Sequence, residues 1–146
     1  MVLALEEAGQ AAAVGEVPVG AVVLMAGQVT ARAHNTREQG HDPTAHAEIL
    51  ALRAAAAAAG TWRLSGATLV VTLEPCCMCA GALVAARVER LVFGAADLKA
   101  GACGSLYNLC ADPRLNHEVA VTRGVMAPAA RHLLEAFFQE RRPVPE

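Results

Sequence analysis

A single lysine, Lys99, stands in this chain of 146 residues, and the formal net charge is −2. Bulk charge therefore gives no basis for nucleic-acid binding, and any such contact must rest on where individual cations sit. Hydrophobic residues make up 55% of the chain, yet the excess is alanine, and no uninterrupted apolar run approaches the roughly 18 residues of a membrane span. The start, Met1-Val2-Leu3-Ala4-Leu5-Glu6-Glu7, lacks the basic segment and cleavable apolar stretch of a secretory signal, so a cytoplasmic protein is expected. Five cysteines is an odd number for a disulfide framework. In a chain expected to stay in the cell they point instead to metal or redox chemistry. No repeat, linker or low-complexity tail is evident. Residues 1–146 read as one domain, long enough to bury a core without disulfides.

The apolar pattern predicts a helix over about 2–14, stopped by Gly15. Two strands, 19–24 and 29–33, flank Ala26-Gly27 and suggest a hairpin. After a turn-rich loop, Thr44 is a candidate cap for a helix over about 45–59 ended by Gly60, with the alanine run 54–59 supplying helix propensity. Strands are expected at 67–73, 88–93 and 118–122, and helices at about 76–87 and 127–140, with Pro128 suited to a first turn. The stretch 95–117 is long enough for a parallel crossover, which takes about a dozen residues or more. The expected architecture is α/β: a three-layer α/β/α sandwich around a mixed five-stranded sheet.

The chemistry gathers in two short segments, His46-Ala47-Glu48 and Pro75-Cys76-Cys77-Met78-Cys79. Cys76 and Cys79 lie three apart, so a helix would present both sulfurs on one side, and its N-terminus favours thiolate. Alone, the pair could equally be buried core thiols or a thioredoxin-type redox couple. Joined to His46 and Glu48, it supplies what a mononuclear zinc hydrolase needs: three protein ligands, an open fourth position and a nearby proton carrier. His-x-Glu followed by Pro-Cys-x-x-Cys is the known signature of zinc nucleobase deaminases. Zinc with two thiolates and one neutral imidazole carries roughly no net charge and acidifies water weakly, so a dedicated base matters. Spacing does not by itself bring Glu48 to the metal, because positions i and i+2 do not share a face inside a helix. Cys77, Cys103 and Cys110 read mainly as packing thiols. His117 is the only further histidine kept as a possible RNA contact.

Longer segments carry a resemblance. They are Glu16–Val22, Asn35, His41–Ile49, Thr72–Ala82, Phe93–Lys99, Gly101-Ala102, Gly104-Ser105, Asn116-His117 and Phe137-Phe138. Together they span nearly the whole chain, and it resembles the bacterial tRNA-specific adenosine deaminases, which convert a wobble adenosine to inosine. The segment Phe93–Ser105 narrows the match from the wider cytidine-deaminase superfamily. The resemblance implies a cytidine-deaminase-like sandwich, a homodimer sharing its site across the interface, and one zinc on His46, Cys76 and Cys79. It implies Glu48 as proton shuttle, Asn35 on the flipped base and Asp97 on the ribose or adjacent backbone. Lys99, Arg141 and Arg142 would meet the tRNA anticodon loop, with Phe137 or Phe138 stacking near a flanking base. The first helix is several residues shorter than the family's usual start.

Three rival readings differ in class. A sister deaminase of a free base or nucleoside, guanine or cytidine, would keep the zinc and Glu48 without needing the 93–105 segment. A non-catalytic partner subunit would lack the proton shuttle. A zinc-ribbon binding module would need a fourth protein ligand. The favoured reading is hydrolytic deamination of adenosine in tRNA, with release of ammonia.

Overall fold

The computed structural model describes residues 1–144. Helix α1 (Val2–Ala13) leads into strands β1 (Gly20–Met25) and β2 (Gln28–His34), then helix α2 (Ala47–Ala59). Strand β3 (Thr68–Leu73), helix α3 (Cys77–Ala85), strands β4 (Arg90–Ala95) and β5 (Ala120–Thr122), and helix α4 (Ala127–Glu140) complete the order. The strands form one five-stranded sheet in the order β2-β1-β3-β4-β5. β1 runs antiparallel to β2 and β3, while β3, β4 and β5 run parallel. The expected mixed sheet and the parallel pair across 95–117 are both present.

Strand alternation assigns the layers, since successive side chains point to opposite faces. Ala21 and Val23, Leu69 and Val71, and Leu91 and Phe93 pack with Ala51 and Leu52 of α2 and with Leu83 and Val84 of α3. Val22 and Val70, one position out of phase, pack with Ala4 of α1. Helix α4 lies on β3, β4 and α1. This produces the three layers. The parallel β3 and β4 both end at the same edge, and the segments that leave them there build the site.

Two local expectations need correction. Helix α2 begins at Ala47 with His46 as its N-cap residue, not at Ala45 under a Thr44 cap. Asp42 explains the change: its Oδ1 accepts both the Thr44 amide (2.8 Å) and the Thr44 hydroxyl (2.7 Å), so that hydroxyl is spent on the preceding turn. Likewise α3 begins at Cys77, with Cys76 in extended backbone at its N-cap.

Candidate active site

His46 enters the site from the start of α2, where its backbone is extended (φ −74°, ψ 152°). This removes the spacing objection. His46 stands outside the helix, so the rule against i and i+2 sharing a face does not apply, and both His46 and Glu48 line one cleft. Cys76 and Cys79 come from the first turn of α3, immediately after β3. The Cys76 Sγ is 3.6 Å and the Cys79 Sγ 3.4 Å from His46 Nδ1. Among the described residues these three form the only group of His, Cys or acidic side chains placed to hold a metal, with all donor atoms within 4.8 Å of one another.

The donor set fits zinc. Bond lengths of about 2.3 Å to sulfur and about 2.0–2.1 Å to nitrogen, at a tetrahedral angle, put sulfur and nitrogen about 3.6 Å apart. The two observed sulfur–nitrogen distances are those edges. Electrostatics follow the same pattern. The Cys79 thiol donating to it, with His46 beside it, draws the Cys76 thiol down to about 3. The neighbouring Cys76, with burial and Glu48, pushes the Cys79 thiol up. His46 is raised, chiefly by its bond to Cys76.

Glu48 is buried, and the loss of solvent holds its carboxyl above the usual range, against the pull of the Cys79 thiol and His46. A carboxyl so placed can both accept and return a proton. The cleft above it is ≈ 180 Å³, lined by Val17, Val19, Asn35, Arg37, Leu73, Glu74, Asp97 and Ala100 together with His46, Ala47, Glu48 and Cys76. That is room for a nucleobase, with apolar walls and a few polar groups to fix its orientation.

Asn35 is buried in this wall; its Oδ1 accepts the Arg37 amide (3.0 Å) and its Nδ2 donates to the Val17 carbonyl (3.4 Å). Each end of its amide keeps bonding capacity for a ligand. Asp97 also lines the cleft, and its Oδ1 accepts the amides of Lys99 (3.0 Å) and Ala100 (3.1 Å), fixing the turn. Lys99 is exposed, outside the lining. Phe137, Phe138 and Arg141 lie apart from the cleft, at the end of α4. Phe137 is buried beneath the Arg141 guanidinium, 3.5 Å from the ring centroid, so that face of its ring is not free for a base. Phe138 is half exposed. Arg141 lies close to Gly15, two residues from the lining Val17.

Other expectations change or gain detail. Cys77 is exposed rather than packed, because it faces away from the sheet on α3. Cys103 and Cys110 are buried in the core, their sulfurs 3.7 Å apart. His117 sits at the opposite end of the sheet, Nε2 2.7 Å from the Val88 carbonyl, which leaves it no place in this cleft. Two buried carboxylates escaped the sequence reading. Glu16 accepts the amides of Glu38 (3.2 Å) and Gln39 (2.6 Å) and so ties down the loop after Asn35. Glu74 receives the amides of Asp97, Cys103 and Ser105. Burial pushes the Glu74 carboxyl up, but the bonds from Ser105, Cys103 and Asp97 outweigh it and hold it below the usual range. Its place directly before Pro75-Cys76 was the available signal.

The sequence profile of the MafB19-like deaminases matches residues 1–142. Fold and donor set together define a nucleobase-type deaminase. Among relatives, the tRNA-specific adenosine deaminase of Bacillus subtilis is 52% identical over 139 residues, covering 95% of this chain and 86% of the relative. That of Haemophilus influenzae is 49% identical over 140 residues, covering 95% and 81%. A structure solved in a study of A-to-I editing by tRNA:A34 deaminases at the wobble position superposes with a TM-score of 0.89 at 45% identity, covering 92% of this chain and 97% of that one. The chain belongs to the tRNA-specific adenosine deaminase family. A guanine deaminase from Nitrosomonas europaea shares the fold less closely, with a TM-score of 0.79, 30% identity, and 92% and 80% coverage.

Proposed function

We propose that this protein hydrolyses the exocyclic amine of the wobble adenosine in tRNA, giving inosine and ammonia. The observation that carries it is Glu48, a buried carboxyl beside a His46–Cys76–Cys79 donor set at the floor of a base-sized cleft. The relatives' names supply the substrate class. His46, Cys76 and Cys79 would hold one zinc, which when bound acts as a Lewis acid that makes water a better nucleophile. Glu48 takes a proton from the attacking water and delivers it to the ring nitrogen. It then carries the second proton to the departing amine, so that the carbon–nitrogen bond breaks and ammonia leaves. Asn35 orients the extruded base with its spare amide capacity, and Asp97 meets the ribose or adjacent backbone at the mouth. Lys99 and Arg141 meet the anticodon loop, as does Phe138 with its exposed ring; a role for Phe137 is limited to supporting Arg141.

Two extensions belong to the same reading. The chain works as a homodimer, supported by an apolar groove between α2 and α3 lined by Leu52, Ala56, Trp62, Ala82 and Ala85, with Trp62 60% exposed. It works in the cytoplasm, where tRNA is matured; among the described residues no helix is long and apolar enough to cross a membrane. The test is inosine formation on an anticodon stem-loop with adenosine at the wobble position, beside free adenosine, cytidine and guanine. Conversion of the stem-loop alone is expected. Turnover of a free base or nucleoside, with the stem-loop untouched, would overturn the substrate and leave the deaminase chemistry standing.

A further inference from the structure

We propose that Glu74 is a positioning residue that fixes the 97–105 loop against the metal-ligand segment and thereby sets affinity for the RNA. The inference rests on the tRNA reading above. Glu74 is 2% exposed, and its two oxygens face four donors. Oε1 accepts the Asp97 amide (3.1 Å) and the Ser105 hydroxyl. Oε2 accepts the amides of Cys103 and Ser105, each at 3.1 Å. A carboxylate offers about four lone-pair sites, so this one is saturated and has no capacity left to move protons. That separates it from Glu48.

All four donors come from one loop, and they bind its first turn and its far end to a single side chain. The main chain adds to the clamp: Ala102 N–H donates to the Pro75 carbonyl (2.8 Å), and Glu74 N–H to the Ala95 carbonyl (2.8 Å). Gly101 shows how close the loop approaches, since a Cβ there would overlap the Glu74 carboxylate and the Asp97 carbonyl. The residue after Pro75 is the ligand Cys76. One short segment thus carries a metal donor forward and the wall containing Asp97 sideways, with the exposed Lys99 just beyond it. Holding Asp97 at a fixed offset from the reacting base is a matter of binding, while the cluster that does the chemistry stays put.

The experiment uses Glu74→Gln. In either orientation of the new amide, its NH2 group faces two donors. Ser105 Oγ can turn round to accept, but the Asp97 amide, or those of Cys103 and Ser105, loses its partner. On the wobble-adenosine stem-loop, KM is expected to rise tenfold or more with kcat within about threefold, by the usual reading of such a split. Metal content should remain one per chain. Backbone hydrogen exchange should quicken at Asp97, Cys103 and Ser105 and stay unchanged in α2 and α3. Unchanged KM with unchanged exchange, or a fall in kcat with loss of metal, overturns the proposal. Should Glu74→Gln fail to fold, Ser105→Ala decides: it removes the hydroxyl alone, and a KM raised severalfold supports the clamp while an unmoved KM rejects it. The unsubstituted protein is the control in each assay. If it leaves the stem-loop untouched, the tRNA reading falls, and the exchange pattern, which needs no substrate, still decides the role of Glu74.

Discussion

Glu48 and Glu74 are both buried carboxylates beside one cleft, yet their surroundings give them opposite chemistry. Glu74 is saturated by four donors and held ionised. Glu48 is held up by desolvation and left able to exchange a proton. Glu48→Ala is therefore expected to keep its zinc and lose kcat by about 10²–10⁴, the usual share of a general acid/base. Metal analysis of the purified variant, read beside its rate, checks this, and metal-free protein would mean the carboxyl serves the metal instead. The titrations around the donor set carry a sign of their own. Zinc takes neutral imidazole and two thiolates, while the metal-free site holds His46 raised and Cys79 raised. Binding must displace the proton of the Cys79 thiol, so affinity rises with pH through the neutral range. Calorimetry in buffers of different ionisation heat should show net proton release at pH 7; proton uptake would contradict the assignment. At this scale the His46–Cys76–Cys79 donor cluster and the place of Glu48 beside it were legible because their residue types and spacing are scarce by chance. The roles of Glu74 and Glu16 were not, since their partners are backbone amides distant in sequence, and only the place of Glu74 before Pro75-Cys76 marked it.

The hairpin between β1 and β2 turns on Ala26 (φ 50°) and Gly27 (φ 74°), both left-handed as a two-residue type I′ turn requires. Alanine suffers in that region and asparagine suffers less. Ala26→Asn should therefore stabilise the fold by up to about 1 kcal/mol, a Tm rise of up to about 2–4 °C at this chain length. A thermal melt that falls instead would mean the turn is not of this type in solution. The starts of α2 and α3 show where local reading stops. Propensity placed both helices within a residue or two. It did not place the boundary at the candidate donors themselves, because His46 and Cys76 sit at N-cap positions whose side chains make no cap bond. Their side chains turn toward each other instead. An extended N-cap residue swings its side chain out of the helical repeat, which is what lets the donors converge.

Across the whole molecule, cations near the cleft are few: Arg37 in its wall, Lys99 at its edge, and Arg141 and Arg142 beyond α4. Single-strand contacts cost about 0.7 in log–log salt slope per phosphate. Stem-loop affinity should therefore fall with a slope of about −3 or shallower, read from KM across a salt series; a much steeper slope would require phosphate contacts beyond these four cations. The apolar groove between α2 and α3 makes a second demand. Ala85→Arg, at an exposed lining position, should convert a dimer to a monomer in sedimentation velocity. An unsubstituted chain that is already monomeric would remove the homodimer. The sequence alone determined the order of elements, the mixed sheet and the donor set, because hydrophobic periodicity and ligand spacing act over a few residues. Tertiary structure alone decided that β3 and β4 end side by side, so that a cleft opens over the donors. It also decided which wall residues reach that cleft. His117, Phe137 and Arg141 fall away from it and Glu74 falls into place, because such contacts join residues far apart in the chain, and only the packed sheet fixes where they meet.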